Sequence, residues 1–161
     1  MYPSFTNHQF AGPQTVRNSD ISRFAVRLYN RVIWMGKMNN WSHRLFGRNT
    51  ELKDLNQAAS QTTIVDRNYL GQSSVPVDKI IGSESRSGDF DEKFYPLQEN
   101  TRDRWVRIAS ARQQNIGLPP VELIKLGDLY FVRDGHHRIS VARAIGEVYI
   151  DAIVTEWKPA S

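Results

Sequence analysis

The chain has 161 residues, 40% hydrophobic and 24% charged, with a formal net charge of +4; that is enough for one domain with an attached extra element, not for two large domains. No apolar run approaches the length of a membrane helix and no charged-then-apolar leader opens the chain, so neither a transmembrane span nor a secretory signal is expected. With no cysteine, a disulfide framework, thiol catalysis and cysteine-ligated zinc are excluded, and a reducing cytoplasm is the expected compartment.

Residues 1–18 are polar, lack an apolar period and contain Pro3, Gly12 and Pro13, which predicts a disordered arm. Ser19 or Asp20 then caps a long amphipathic helix whose apolar row reads Ile21, Phe24, Leu28, Val32, Met35, Met38 or Asn39, Ser42 and Leu45, ending near Gly47. Trp34, Trp41 and Phe46 lie on or beside that row, so the helix is expected to pack on the domain or on a second copy of itself, as a homodimer. The alternative is an interfacial helix on a membrane surface. Residues 1–60 carry eight Lys/Arg against three Asp/Glu, whereas the remainder carries thirteen against fourteen. The surplus, including Arg17, Arg23, Arg27, Arg31, Lys37, Arg44 and Arg48, suits nucleic acid or an anionic surface; otherwise it is a solvated helix face.

A short helix is expected from Asn49 or Thr50 to about Ala59, capped by Thr50. Residues 19–60 thus form a helical extension, 61–73 a linker and 74–161 the compact domain. Val75 to Ile81 predicts a strand, followed by a polar loop from Gly82 to Asp91. Asn100 or Thr101 caps a helix carrying Trp105, Ile108, Ala109 and Arg112, stopped by Gly117, Pro119 and Pro120. Val121–Leu126 and Leu129–Val132, separated by Gly127-Asp128, predict a hairpin. A helix from Ile139 to Ile145, ended by Gly146, and a strand from about Val148 to Val154 complete an α+β fold, a small mixed sheet with packed helices.

The chemistry concentrates at Asp134-Gly135-His136-His137-Arg138, between the hairpin and the helix that follows it. A helix start leaves backbone N–H groups unpaired and adds partial positive charge. Gly135 permits close approach of a ligand, the two imidazoles donate hydrogen bonds and the guanidinium of Arg138 matches phosphate oxygens. Phosphate is the natural ligand, although His136 or His137 would equally serve as a helix cap. Ser140 lies one turn further on. In Gly82-Ser83-Glu84-Ser85-Arg86, Glu84 is placed to act as a general base and Arg86 to neutralise phosphate charge, the alternative being a solvated loop pair. Asp134 is the candidate for holding magnesium or orienting a histidine, with Asp89 and Asp91 weaker candidates. A two-histidine metal site is disfavoured, because neighbouring side chains on a tight turn diverge and His8 and His43 lie far off in sequence. There is no Gly-x-x-x-x-Gly-Lys, Gly-x-Gly-x-x-Gly, His-Glu-x-x-His or Gly-x-Ser-x-Gly sequence, so the common nucleotide folds and hydrolases are disfavoured.

Residues 74–157 resemble the ParB/sulfiredoxin-like superfamily. Val75-Pro76-Val77-Asp78-Lys79-Ile80 is similar to its opening strand, and Leu129 to Gly146 to its hairpin, Asp-Gly-x-x-Arg turn and helix. The resemblance implies a nucleotide-phosphate site at the Gly135 turn, the ligand being CTP in partition proteins, ATP in sulfiredoxins and ADP in archaeal free-serine kinases. His136 stands where sulfiredoxins carry their catalytic cysteine, so that chemistry is not expected. Partition proteins continue into a helix-turn-helix reader and a dimerisation domain, and a complete one is not expected in a chain ending at Ser161. The serine kinases are similar in their Asp-Gly-His-His-Arg turn and carry a catalytic glutamate after the first strand, which places that role on Glu84.

The expected function is therefore nucleotide binding with Mg2+-dependent phosphoryl transfer to a small-molecule acceptor, or nucleotide hydrolysis. Glu84, His137 and Asp134 would be catalytic, and Gly135, His136, His137, Arg138, Arg86 and Ser140 would hold phosphate. The alternative is a nucleotide-switched, DNA-associated binding module that uses the basic helix.

Overall fold

The computed structural model describes residues 18–45, 47, 50–85 and 88–160, with backbone alone at 18, 43 and 44. The arm at 1–17, Phe46, Arg48, Asn49 and Arg86 lie outside the described residues. In chain order the elements are α1 (Asn18–Leu45), β1 (Lys53–Asp54), α2 (Leu55–Ser60), β2 (Ile64–Pro76), β3 (Ile80–Ser83), α3 (Arg102–Gln113), β4 (Val121–Leu126), β5 (Leu129–Asp134), α4 (His136–Ile145) and β6 (Tyr149–Pro159). The strands form one six-stranded mixed sheet in the order β1-β3-β5-β4-β6-β2. The fold is α+β, as the sequence predicts.

The hairpin expected at Gly127-Asp128 is present as the antiparallel pair β4 and β5, with Leu126 opposite Leu129. β3 runs parallel to β5 and β6 parallel to β4. The carboxyl ends of β3 and β5 therefore lie side by side, which brings Ser83 and Glu84 next to the Gly135 turn despite some fifty residues of intervening chain; the Glu84 amide donates to the Val132 carbonyl at 3.0 Å.

The core divides between the two faces of the sheet. On one face Val75, Val121, Leu123, Val132, Ile139 and Ala142 pack between strands and α4. Above them Ala25, Tyr29, Val32 and Ile33 of α1 meet Trp105 and Ala109 of α3 and Val141 of α4. On the opposite face α2 covers Ile124, Phe131 and Trp157 with Leu55.

Four expectations are corrected. Residues 61–73 are not a linker, because from Ile64 onward the chain is the long edge strand β2, antiparallel to β6. An edge strand exposed along most of its length needs no alternating apolar code; its pairing is specified by the backbone of its neighbour. The strand expected from Val75 to Ile81 is two strands broken by a 3-10 turn at Val77–Lys79. The short second helix begins at Leu55, where the side chain of Asp54 accepts from the Gln57 amide at 3.0 Å, while Thr50 is buried in the preceding segment and donates to Asn40. Asp at the N-cap satisfies one of the orphan amides, and the expected Thr50 cap comes four residues too early.

The fourth correction concerns α1. Its buried row is Ile21, Ala25, Tyr29, Val32, Ile33 and Gly36, and Phe24, Met38 and Leu45 of the expected row are exposed. The helix carries two competing rows, and the one with small residues wins because it allows close approach. A side chain at Gly36 would stand 3.1 Å from the Pro96 carbonyl and from Cβ of Tyr95. Among the described residues no helix is long and apolar enough to cross a membrane.

Candidate functional site

α4 begins where β5 ends, and the change of direction is made by Gly135 at φ +103. A Cβ there would also fall 2.5 Å from Cγ1 of Val121 on β4. Glycine is thus required by a left-handed backbone and by packing against the neighbouring strand, and not by the approach of a ligand alone. The Ile139 amide closes onto the Gly135 carbonyl at 3.0 Å; the three preceding amides have no acceptor within the helix.

Arg138 lines the mouth of this turn. Its Nη1 donates to the carbonyls of Pro119 (2.6 Å) and Pro120 (2.8 Å), and its Nη2 to Oδ2 of Asp134 (2.6 Å). Three of the five guanidinium hydrogens are engaged, and the side chain is 11% exposed. The side chain of Asp134 is 58% exposed. Around these two residues lies a cleft of about 500 Å3, lined also by Arg104, Arg107, Ile108, Leu118 and Pro119. Arg104 and Arg107 are exposed on α3, and among the described residues neither has a carboxylate partner.

Those two arginines are the residues that sequence reasoning missed. Their i, i+3 spacing beside Trp105 was the available signal. Trp105 Nε1 donates to Ser140 Oγ at 2.8 Å, with both side chains fully buried. Ser140 is therefore part of the α3–α4 joint that sets Arg104 and Arg107 beside the first turn of α4, and it is not exposed to a ligand.

The two histidines turn inward. His136 is stacked on Phe90 with ring centroids 5.9 Å apart, and His137 meets the same ring edge-on at 5.4 Å. Nε2 of His136 lies 2.8 Å from Ser83 Oγ, which also accepts from the Ser85 amide. Both imidazoles are almost fully buried, and neither lines the arginine cleft. Glu84 forms a two-point pair with Arg133, Oε2 to Nε at 2.9 Å and Oε1 to Nη2 at 3.2 Å. Along β5 Phe131 faces α2 and Val132 faces α4. By the two-residue strand period Arg133, and with it Glu84, follows the α2 side while Asp134 follows the α4 side. The structure thus gathers Asp134, Arg138, Arg104 and Arg107 in one cleft and leaves Glu84 beside Arg133 at the same end of the sheet.

Phe90 is held by an unusual loop. Asp91 is fully buried; its Oδ1 accepts from the amides of Tyr95 (2.8 Å) and Lys93 (3.0 Å), and its Oδ2 accepts from Asn39 of α1 (3.0 Å). Burial pushes the Asp91 carboxyl above the usual carboxylate range, against the opposing pull of those donors. The residue thus serves structure, not metal. Among the described residues no group of three or more His, Cys, Asp or Glu could hold a metal ion.

No protein-family model and no curated protein matches this sequence. Among solved structures, a sulfiredoxin from Arabidopsis thaliana is similar over 52% of this chain and 82% of that one, with 20% identity and a TM-score of 0.35.

The Asp91 carboxyl supplies a prediction. Because its folded pKa is raised, the folded protein holds this proton more tightly than the unfolded chain; the contribution of Asp91 to stability is greatest below about pH 4 and declines as pH rises through the raised value. Chemical denaturation across that range should show Asp91→Asn flattening the decline, whereas Asp91→Ala, which strands two buried amides, loses about 2–4 kcal/mol at neutral pH.

Proposed function

We propose that the cleft between α3 and the start of α4 binds a nucleotide, ATP, ADP or CTP, through its phosphates. What supports the reading is one observation: Arg104, Arg107 and Arg138 line a single cleft whose one carboxylate, Asp134, is already paired. Three guanidiniums from two helices, next to the partial positive charge of a helix start, favour a polyanion. The cleft falls within the size range of small-molecule sites. Ile108, Leu118 and Pro119 give it an apolar wall on which a base or ribose would rest.

Asp134, its side chain 58% exposed, would fit a magnesium ion shared with the phosphates, since that ion is bound by one or two carboxylates plus phosphate oxygens. Bound there, it would supply neutralisation of phosphate charge. Arg104 and Arg107 would orient the phosphates beside Arg138. For Glu84 to serve as the general base toward a small acceptor or water, it would have to leave Arg133 and reach round the carboxyl ends of β3 and β5 from the α2 side to the cleft. His136 and His137 support the turn from beneath through Phe90 and Ser83.

Arg104 and Arg107 are exposed, so replacing both with alanine should leave the thermal midpoint unchanged and weaken nucleotide affinity by at least about 100-fold, at roughly 1.5–3 kcal/mol per charged hydrogen bond. Calorimetric titration of ATP, ADP and CTP with and without Mg2+ measures this; unchanged affinity for whichever nucleotide binds refutes the cleft. For catalysis, Glu84→Gln should bind nucleotide normally and turn over at least about 100-fold slower. Equal turnover removes Glu84 from the reaction.

A second reading, a nucleotide-switched module on nucleic acid, is favoured by Arg23, Arg27 and Arg31, exposed on successive turns of α1. Filter binding to duplex DNA should then weaken steeply between low and physiological salt and vanish when the three are replaced by glutamine.

A further inference from the structure

The face of α1 turned away from the domain carries Trp34, Met38, Trp41 and Leu45, which are 62%, 43%, 61% and 65% exposed. Steps of four, three and four residues keep these side chains within about 60° of one another around the helix. They lie opposite Ala25, Tyr29, Val32 and Gly36, so the packing that seats α1 on the domain leaves this row uncovered. We propose that the row is an interface for a second copy of this chain, the two α1 helices pairing antiparallel about a twofold axis midway between Met38 and Trp41.

Three features of the row select that occupant. Its width is that of a seam, not of a broad apolar face: the alternating four-three-four spacing is the one that lets two helices interdigitate. The row is also its own complement. Reversing it about the midpoint sets Trp34 against Leu45 of the second copy and Met38 against Trp41 of the second copy, a ring meeting an aliphatic chain at every level. And at these exposures the four side chains present on the order of 550 Å2 per copy, about 1,100 Å2 for the pair, which reaches the lower limit of a specific interface and stands at the upper end of patches that monomers leave in water.

Within the tryptophan-rich half of the face the described charge is already paired. An interfacial helix places cations beside its tryptophans. Here the described cation among them, Lys37, is bonded to Glu99. Arg23, Arg27 and Arg31 occupy the amino-terminal half of the same face, so in the antiparallel pair they lie beyond the end of the four-residue seam.

The full chain should sediment at twice the monomer mass at sub-millimolar concentration. Trp34→Glu with Trp41→Glu should weaken dimerisation by about a hundredfold or more while leaving helical content by circular dichroism unchanged, since both side chains are exposed. Orientation has its own readout, because the chain lacks cysteine: an equimolar mixture of Met38→Cys and Trp41→Cys variants should form the mixed disulfide in preference to either homodimer. A parallel pattern, with the two homodimers favoured, overturns the antiparallel seam. A monomeric wild type overturns the proposal altogether. In that case binding to phosphatidylglycerol vesicles would assign the face to lipid, and dimerisation of a chain begun at residue 18 would assign it to residues 1–17.

Discussion

One buried carboxylate holds the separate parts of this molecule in register. Asp91 gathers the amides of Lys93 and Tyr95 from its own loop and the side chain of Asn39 from α1. The next residue, Glu92, donates its amide to the Thr50 carbonyl. Arg143, near the end of α4, donates to the carbonyls of Val77 and Ile80 and lies over the Phe94 ring. A charge taken out of water is costly unless its lone pairs are filled; here three donors fill that role. The arrangement also keeps Phe94 in a left-handed backbone at φ +60, a conformation that a bulky residue adopts only when its surroundings leave no other.

The consequence reaches the candidate site through Phe90. That ring is fixed by its neighbour Asp91 and lies against both imidazoles, so the histidines of the Gly135 turn are held in place from below and the cleft above is formed by other residues. Two of its three cations come from α3, and their position depends on the bond between Trp105 and Ser140 that joins α3 to α4. The phosphate-binding character proposed for the cleft is thus assembled from two helices that the sheet and the Asp91 loop align, and not from one contiguous motif.

The N-terminal helix has two faces with different duties. Its inner row, with Ala25 and Gly36 at the points of closest approach, seats it against α3 and the loop near Tyr95 and Pro96. Through Asn39 the same row contacts Asp91, so α1 is part of the structure that supports the turn and not an independent appendage. Its outer row divides into an arginine half and a tryptophan-rich half, and the two halves suit different partners. The apolar residues on this helix are more numerous than one interface can bury. That is why periodicity by itself selected Phe24, Met38 and Leu45 as core.

Local chemistry was enough to mark the hairpin at Gly127-Asp128, the Gly135 turn with its helix, the helix around Trp105 and the α+β class, because each depends on contacts within a few residues: a tight turn, a cap, a period. What depends on distant partners was not legible. Edge strand β2 carries no alternating code because its backbone is completed by β6, whose paired residues lie far along the chain, from Ile64 with Pro159 to Pro76 with Tyr149. Which row of α1 faces inward depends on the small residues that let Tyr95 and Pro96 approach, and the inward turn of His136 and His137 depends on a phenylalanine held by a buried aspartate. Arg104 and Arg107 read as ordinary surface charge until packing sets α3 beside α4. In each case the deciding free energy is a contact between segments remote in sequence, and only the folded chain brings those segments within reach.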